Sequence, residues 1–205
     1  MCRASGLLSG SIALVLFGVV SFLGLAPKAA NAHEFVVELQ AVGDQRDVIL
    51  TDALRGFLLA TVERDGHANE ESNGHLGGLD VYIDLEPASV AARFPELKEP
   101  PGDRPDIVAV IGASQDVEEM TGDDSVVLRP GILQDDNDWR DAEALAAESF
   151  AARYIAKFGQ PASQWAAWGY DAARRIDAAV RPLGGVDDRA ALESAFAQTA
   201  QGIRW

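Results

Sequence analysis

A hydroxyl-bearing turn follows the most apolar stretch of the chain. Residues 107–112 (IVAVIG) are almost all apolar, and Ala113 and Ser114 come directly after them. If this run is a strand of a parallel sheet, the turn lies at its carboxyl end, where open α/β sheets bind their ligands. Backbone amides at a helix start, together with the Ser114 hydroxyl, suit a carboxylate. The alternative is that Ser114 only caps the helix that starts at Gln115.

Histidines and acids are concentrated in a second stretch. Its members are Glu63, Asp65, His67, Glu70, Glu71 and His75. Imidazole and carboxylate groups are ligands for divalent metals, but the spacing here matches no metal-binding motif. The Gly- and Asn-rich composition of residues 64–74 favours an exposed, solvated loop instead. We therefore expect no metal site and no cofactor.

Signatures of catalysis do not occur in the sequence. It contains no G-x-S-x-G, no phosphate-binding P-loop, no G-x-G-x-x-G and no H-E-x-x-H. Acids are too plentiful for any one pair to be singled out as a general acid and base. We therefore expect that the protein is not an enzyme.

The composition limits the class of partner. The chain has 205 residues, 17 of them basic and 32 acidic, for a formal net charge of −15. A body with this charge repels nucleic acid and anionic membrane surfaces. The single cysteine, Cys2, excludes an internal disulfide and a Cys₄ zinc site. The hydrophobic share of 48% is typical of a globular protein.

The first 32 residues have the pattern of a secretory signal peptide. Arg3 precedes an apolar run over residues 12–26, Pro27 ends that run, and residues 30–32 (Ala-Asn-Ala) supply the small-x-small cleavage pattern. A transmembrane anchor is the alternative, but the run is shorter than the roughly 20 residues that span a bilayer. We expect cleavage after Ala32 and a periplasmic location, with no stable membrane span in the remaining chain.

The elements that must position these residues alternate along the chain. The patterns predict strands over residues 35–39, 79–85, 107–112 and 126–128, and helices over 47–63, 88–94, 139–159, 162–180 and 188–197. Residues 182–185 (Pro-Leu-Gly-Gly) are expected to stop the fourth of these helices, and Asp187 or Asp188 to cap the fifth. The aromatics Trp139, Trp165, Trp168 and Tyr170 are expected in the core or at its edge. This order predicts an α/β fold, a three-layer sandwich around a mostly parallel sheet.

Four stretches resemble the type I periplasmic binding proteins, in the branch of the branched-chain amino-acid (leucine/isoleucine/valine) receptors of ABC transporters. They are residues 55–60 with 77–81, Asp84 with Pro87 and the helix after it, residues 105–114, and residues 150–161 leading into 169–173 (GYDAA). The last is similar to the helix pair of that family. In order, the four stretches cover most of the chain after residue 32.

The resemblance implies a chain reduced to one lobe. Members of the family are about twice as long and have two lobes, whereas here an acidic link over residues 134–138 leads almost directly to the returning helices. We therefore expect a single lobe over residues 33–205, made of strand and helix alternation over 33–133 and returning helices over 139–205. By resemblance, Ala113 and Ser114 hold an amino acid's carboxylate, and the turn at Gly131 faces the ligand. Ile132 and Leu133 follow Gly131 and lack the hydroxyl usual in the family.

Two functions remain open on these grounds. The resemblance implies a secreted, substrate-binding-protein-like component of an amino-acid ABC transport system. Its partners would be a small amino acid or similar molecule, and an ABC permease or a second protein subunit. The alternative is an accessory or interaction protein that kept the fold but lost small-ligand binding, since a single lobe offers only one wall to a ligand.

Overall fold

A five-stranded sheet forms the framework of the protein. The computed structural model describes residues 34–65, 71–102, 104–112, 125–134, 139–140 and 147–205. All of them belong to one unit, Asn31–Trp205. The predicted signal peptide over residues 1–32 lies outside the described residues. None of the helices in the described ranges has the length and apolar character that a membrane crossing requires.

The sheet is mostly parallel, with β1 at its centre. The strands are β1 (Glu34–Ala41), β2 (His75–Leu76), β3 (Leu79–Glu86), β4 (Ile107–Ile111) and β5 (Val126–Leu128). They are ordered β2-β3-β1-β4-β5. Every pair is parallel except β2 with β3, which form an antiparallel hairpin. The predicted α/β class with a mostly parallel sheet is confirmed at this level.

Four α-helices and one short 3₁₀ helix complete the described fold. The α-helices are α1 (Arg46–Asp65), α2 (Phe150–Phe158), α3 (Gln164–Leu183) and α4 (Arg189–Thr199), and the 3₁₀ helix covers Ala88–Arg93. Ser149, Ser163 and Asp188 each precede a helix and accept a hydrogen bond from a backbone N–H three residues on. Such caps satisfy amides that have no partner inside the helix. Of the two acids expected to cap the last helix, Asp188 does so.

One hydrophobic core contains residues from both the early strands and the late helices. Alternate residues of β1, Phe35, Val37 and Leu39, point to the same face of the sheet and are fully buried. They belong to one cluster with Leu54 of α1 and Ile176 of α3. The helices after residue 150 therefore cover the same core as the strands before residue 130.

The crossing of α1 and α3 brings two helix backbones into contact. A Cβ atom on Gly56 would lie 1.9 Å from the carbonyl oxygen of Ala166, and one on Gly169 would lie 1.9 Å from that of Ala53. No side chain larger than hydrogen fits at either glycine. This contact fixes the position of α3, which carries several of the polar residues described below.

Two predicted helix boundaries are wrong. The helix expected from Trp139 begins at Phe150, because Ser149 has extended backbone and caps the helix there; Trp139 and Arg140 are not helical. The helix expected to end at Val180 continues to Leu183, and Gly184, which lies within the stretch expected to stop it, ends it with a φ of +68°. Pro182 lies in the last turn and lacks the N–H that would donate to the carbonyl four residues back, and the left-handed glycine two residues later ends the helix.

The expectation of an exposed loop up to residue 74 is also wrong at its end. Ser72 and Asn73 are buried, and β2 begins at once after Gly74. Asn73 bonds to the backbone of β3 beyond the short pairing with β2. Its N–H donates to Val81 O (2.8 Å), and its Oδ1 accepts from Ile83 N–H (2.9 Å). Polar residues are therefore buried here by pairing with the backbone of a neighbouring strand.

Candidate functional site at the carboxyl edge of the sheet

The strand order creates a switch point between β1 and β4. From β1 the chain passes through α1 to β3 on one side, while β4 lies on the other side of β1. In open α/β sheets, ligands bind outside the carboxyl ends of the strands at such a reversal. The segments that meet there are residues 42–45, which follow β1, and Gly112, which follows β4. The topology therefore places the candidate site at this edge.

The two segments at the switch point are packed tightly. Val42 N–H donates to Ile111 O (2.9 Å), and a Cβ on Gly112 would lie 2.3 Å from Val42 Cγ2. Gln45 has a φ of +59°, and its carbonyl oxygen accepts hydrogen bonds from the N–H groups of Val48 and Ile49 in the first turn of α1. Because residue 112 is glycine, the chain can pass close to Val42, in the loop after β1, where it leaves β4. Ala113 and Ser114, the predicted carboxylate ligands, come next and lie outside the described residues.

Gly131 packs against side chains of α3. It is the one predicted ligand-binding residue among those that the structure describes. A Cβ on Gly131 would lie 3.0 Å from Arg175 Nη1 and 3.1 Å from Asp171 Oδ2. The next residue, Ile132, has its side chain 55% exposed, and its N–H donates to Ala200 O at 3.3 Å. The loop after β5 is therefore held by α3 and by the segment that follows α4.

A buried charge pair lies behind this loop. Asp171 and Arg175 of α3 are 1% and 2% exposed, and Arg175 Nη1 is 4.0 Å from Asp171 Oδ2. Arg175 donates instead to three oxygens, Arg129 O (2.7 Å), Thr199 Oγ1 (3.0 Å) and Phe196 O (3.2 Å). Its guanidinium group therefore ties the loop after β5 and the end of α4 to α3.

The other member of the pair holds a tryptophan. Trp205 Nε1–H donates to Asp171 Oδ1 at 2.9 Å. Burial raises the pKa of Asp171 to about 6, against the opposing effects of the Trp205 hydrogen bond and the Arg175 charge. Burial likewise lowers the pKa of Arg175, and the Asp171 charge opposes that shift. This carboxyl group therefore changes protonation near neutral pH inside the fold.

The sequence interpretation did not single out this pair or Trp205. Asp171 and Arg175 are four residues apart in an alanine-rich helix, a spacing that places opposite charges on one helix face. That spacing is also typical of exposed helices. This pair differs from an exposed pair in its neighbours, because Tyr170, Ala172 and Ala173, which flank Asp171, are all buried.

The histidine and acid stretch is divided between separate clusters. His75 Nε2 lies 2.7 Å from Asp80 Oδ1 within the β2–β3 hairpin, and Glu63 is held by other residues. His67 and Glu70 lie outside the described residues, and Glu71 is exposed. Across the ranges that the structure describes, no group of three His, Cys, Asp or Glu residues is arranged to hold a metal ion.

Glu63 belongs to a network that joins three helices. Tyr170 OH donates to Glu63 Oε2 (2.6 Å), Arg153 Nε donates to Glu63 Oε1 (2.6 Å), and Arg153 Nη2 donates to Tyr170 OH (2.8 Å). Burial raises the pKa of Tyr170, and the hydrogen bond to Glu63 raises it further. The network fixes α1, α2 and α3 relative to one another, and it positions the Tyr170 ring.

The expected core role of the aromatic residues is confirmed. Tyr170 is fully buried, and Trp139, Trp165 and Trp168 pack against the core while partly exposed. Trp165 and Trp168 share a helix face, with ring centroids 5.3 Å apart. These tryptophans therefore lie at the edge of the core.

Comparison with known proteins adds no relative. No protein-family model, no curated protein and no solved structure matches the chain. The geometry of the described residues and the resemblance noted in the sequence are therefore the grounds for a functional proposal.

Proposed function

We propose that the chain is a one-lobe relative of the type I periplasmic binding proteins and serves as the substrate-binding component of an amino-acid ABC transport system. The observation that carries the proposal is the switch point between β1 and β4, and Ala113 and Ser114 follow β4 closely in the sequence. A carboxylate bound at this edge would meet backbone amides and a hydroxyl. The finer fold, a three-layer sandwich of the periplasmic-binding type, is part of the same proposal.

Export to the periplasm completes the proposal. The signal-peptide pattern over residues 1–32 supports it, and the mature chain would begin at His33. Expression in a bacterial host followed by N-terminal sequencing of the periplasmic fraction tests the processing site. A mature protein that begins at His33 is the expected result, and retention of residues 1–32 on a cytoplasmic product would contradict export.

Calorimetry tests ligand binding. Titration of residues 33–205 with leucine, valine and related amino acids should give one-to-one binding in the micromolar range. Ser114→Ala should weaken the affinity at least about tenfold, because a hydrogen bond to a charged ligand is lost. Ser194→Ala, which removes an exposed hydroxyl from α4, is the matched control and should bind like the parent. Absence of heat across the whole panel would reject the transport proposal.

A second function is favoured by the loop after β5. Gly131 packs on the Asp171–Arg175 pair, and the Ile132 N–H is bonded to Ala200 O, so this loop is engaged within the lobe. An accessory protein that lost small-ligand binding has no need of a free loop at this edge. The absence of binding heat in the titrations, together with a stable dimer in light scattering or a subunit that co-purifies, would support this function over transport.

A further inference from the structure

The indole of Trp205 lies in a recess formed by α2 and α3. Its ring centroid is 5.1 Å from that of Phe150 and 4.9 Å from that of Tyr170, with interplanar angles of 75° and 63°. Its Nε1–H donates to Asp171 Oδ1 at 2.9 Å. The indole therefore meets two aromatic rings edge-on and one carboxylate acceptor, which are the contacts that an indole favours.

The walls of this recess are fixed independently of Trp205. Phe150 and Tyr170 belong to the main hydrophobic core, and their ring centroids are 4.7 Å apart. The Tyr170 hydroxyl is bonded to Glu63 and Arg153, and Gly131 packs on Asp171. A site whose walls are held by other contacts loses little order when its occupant leaves, which favours binding.

The segment that carries Trp205 has no regular secondary structure. Residues 200–205 contain no helix or strand, and Gln201 and Arg204 are exposed. Hydrogen bonds hold its start: Ile132 N–H donates to Ala200 O (3.3 Å), Gln134 Nε2–H to Gln201 O (2.6 Å), Ala200 N–H to Ala197 O (3.3 Å) and Gly202 N–H to Thr199 O (3.0 Å). Gly202 has a φ of +90° and gives the segment a bend. Because the segment is not part of a helix or strand, it can move without breaking an element of the fold.

We propose that Phe150, Tyr170 and Asp171 form a receptor site for an indole group, which Trp205 fills from within the chain. The external ligand that fits is the tryptophan side chain of a partner peptide, in competition with Trp205. Asp171 determines the chemical class, because a buried carboxylate requires a donor and an aliphatic or phenyl group supplies none. The proposal is independent of the amino-acid site at Ala113 and Ser114.

Substitution of the occupant tests the site. Trp205→Ala should bind free indole one-to-one in calorimetry and should gain thermal stability from it. 1-Methylindole has the same rings but no N–H, and it should bind at least about tenfold more weakly because the bond to a charged acceptor is lost. Equal binding of the two compounds, or no binding of indole to a cooperatively folded W205A, would overturn the proposal.

A matched control and a peptide extend the test. Trp168→Ala removes another partly buried tryptophan and should show no preference for indole over 1-methylindole. A synthetic peptide with the sequence of residues 199–205 (TAQGIRW) should bind W205A, and the same peptide ending in alanine should not. If the alanine peptide binds equally well, the indole is not what the recess recognises.

If W205A does not fold, displacement of Trp205 by indole can be measured in the unaltered chain. The chain has four tryptophans, and their indole N–H resonances are separate probes in a ¹H–¹⁵N spectrum. Trp205→Phe removes the resonance of Trp205 and so assigns it. Excess indole should move that resonance to the position of a solvent-exposed indole and leave the other three in place. A Trp205 resonance that is unchanged at saturating indole would contradict displacement.

Discussion

At the scale of single residues, Asp171 and Arg175 show how an incompletely paired charge is kept inside a small fold. Arg175 gives its hydrogen bonds to two carbonyls and a hydroxyl, so its charge is solvated by protein oxygens. Asp171 lies 4.0 Å from the guanidinium and has the Trp205 indole as a donor. Because desolvation outweighs these contacts, the pKa of Asp171 in the folded protein is raised to about 6.

This imbalance predicts a pH dependence that Asp171→Asn removes. The folded pKa of about 6 lies above the ordinary value of an aspartate, so the folded state binds the proton more tightly than the unfolded state. Stability is therefore highest below the unfolded pKa, near 4, and falls as pH rises toward 6 and above. Urea unfolding between pH 4.5 and 7.5 should show the parent losing about 2 kcal/mol more than D171N.

An exposed acid provides the control for this measurement. Glu96→Gln removes the same charge from the surface and should keep the pH profile of the parent. Parallel profiles for the parent and D171N would mean that the Asp171 carboxyl group does not titrate in this window.

Asp188 and Asp171 illustrate what a sequence reveals about single residues. The cap at Asp188 depends on a bond to Ala191, three residues on, so local spacing was enough to predict it. The burial of Asp171 depends on Gly131 and Trp205, which lie some 40 and 34 residues away along the chain. Position in a helix shows which side chains share a face, but not which distant segment covers that face. This is why the recess was not predicted.

At the scale of elements, the crossing of α1 and α3 determines how the late helices dock. Gly56 and Gly169 let two backbones touch, and the hydrogen bonds among Glu63, Arg153 and Tyr170 lie beside this contact. An ion pair between Arg64 and Asp177 (3.4 Å) continues the contact toward the β2–β3 turn. The orientation of α3 therefore rests on steric fit, which polar contacts on both sides reinforce.

Gly169→Ala should destabilise the protein strongly. Alanine gains about 1 kcal/mol over glycine in a helix interior. The new Cβ, however, would lie 1.9 Å from the carbonyl oxygen of Ala53, a backbone atom that moves only if the helices separate. We expect a net loss of at least about 2 kcal/mol in chemical denaturation.

Gly102→Ala is the matched control for this substitution. It adds the same methyl group where no atom lies within 4 Å, and it should leave the stability within about 0.5 kcal/mol of the parent. A G169A protein as stable as G102A would mean that α1 and α3 are further apart than described.

Elements with strong local patterns were predicted well, and elements stabilised by distant contacts were not. Strand β5 and the apolar core of β4 were predicted within a residue, since a buried strand consists of consecutive apolar residues. The β2 strand was missed because two residues carry no periodicity, and its partner bonds come from β3. At the carboxyl edge, sequence reasoning selected Ala113 and Ser114, which lie outside the described residues, and the loop at Gly131, but it did not predict that this loop packs against α3.

At the scale of the whole molecule, two regions far apart in sequence share one core. The strands of residues 34–128 and the helices of residues 150–199 bury their apolar faces in the same cluster. Neither region alone buries both sides of this cluster. A protein of this kind is expected to unfold as one cooperative unit.

Thermal unfolding of residues 33–205 should therefore occur in one transition. All four tryptophans lie after residue 138, so their fluorescence reports on the late helices, while far-ultraviolet dichroism reports on every helix and strand. The two midpoints should agree within about 2 °C, as two-state behaviour requires. A fluorescence transition clearly separated from the dichroism transition would indicate two independent units.

The contact between Gly56 and Gly169 also determines when the chain folds. Because these glycines are more than a hundred residues apart, the core stays incomplete until the last third of the polypeptide has been synthesised. At roughly 5–20 residues per second, this leaves several seconds in which the nascent polypeptide has no stable tertiary structure. Residues 1–32 predict export, and a precursor must be unfolded to pass through a translocation channel. Late completion of the core would keep the precursor unfolded until then.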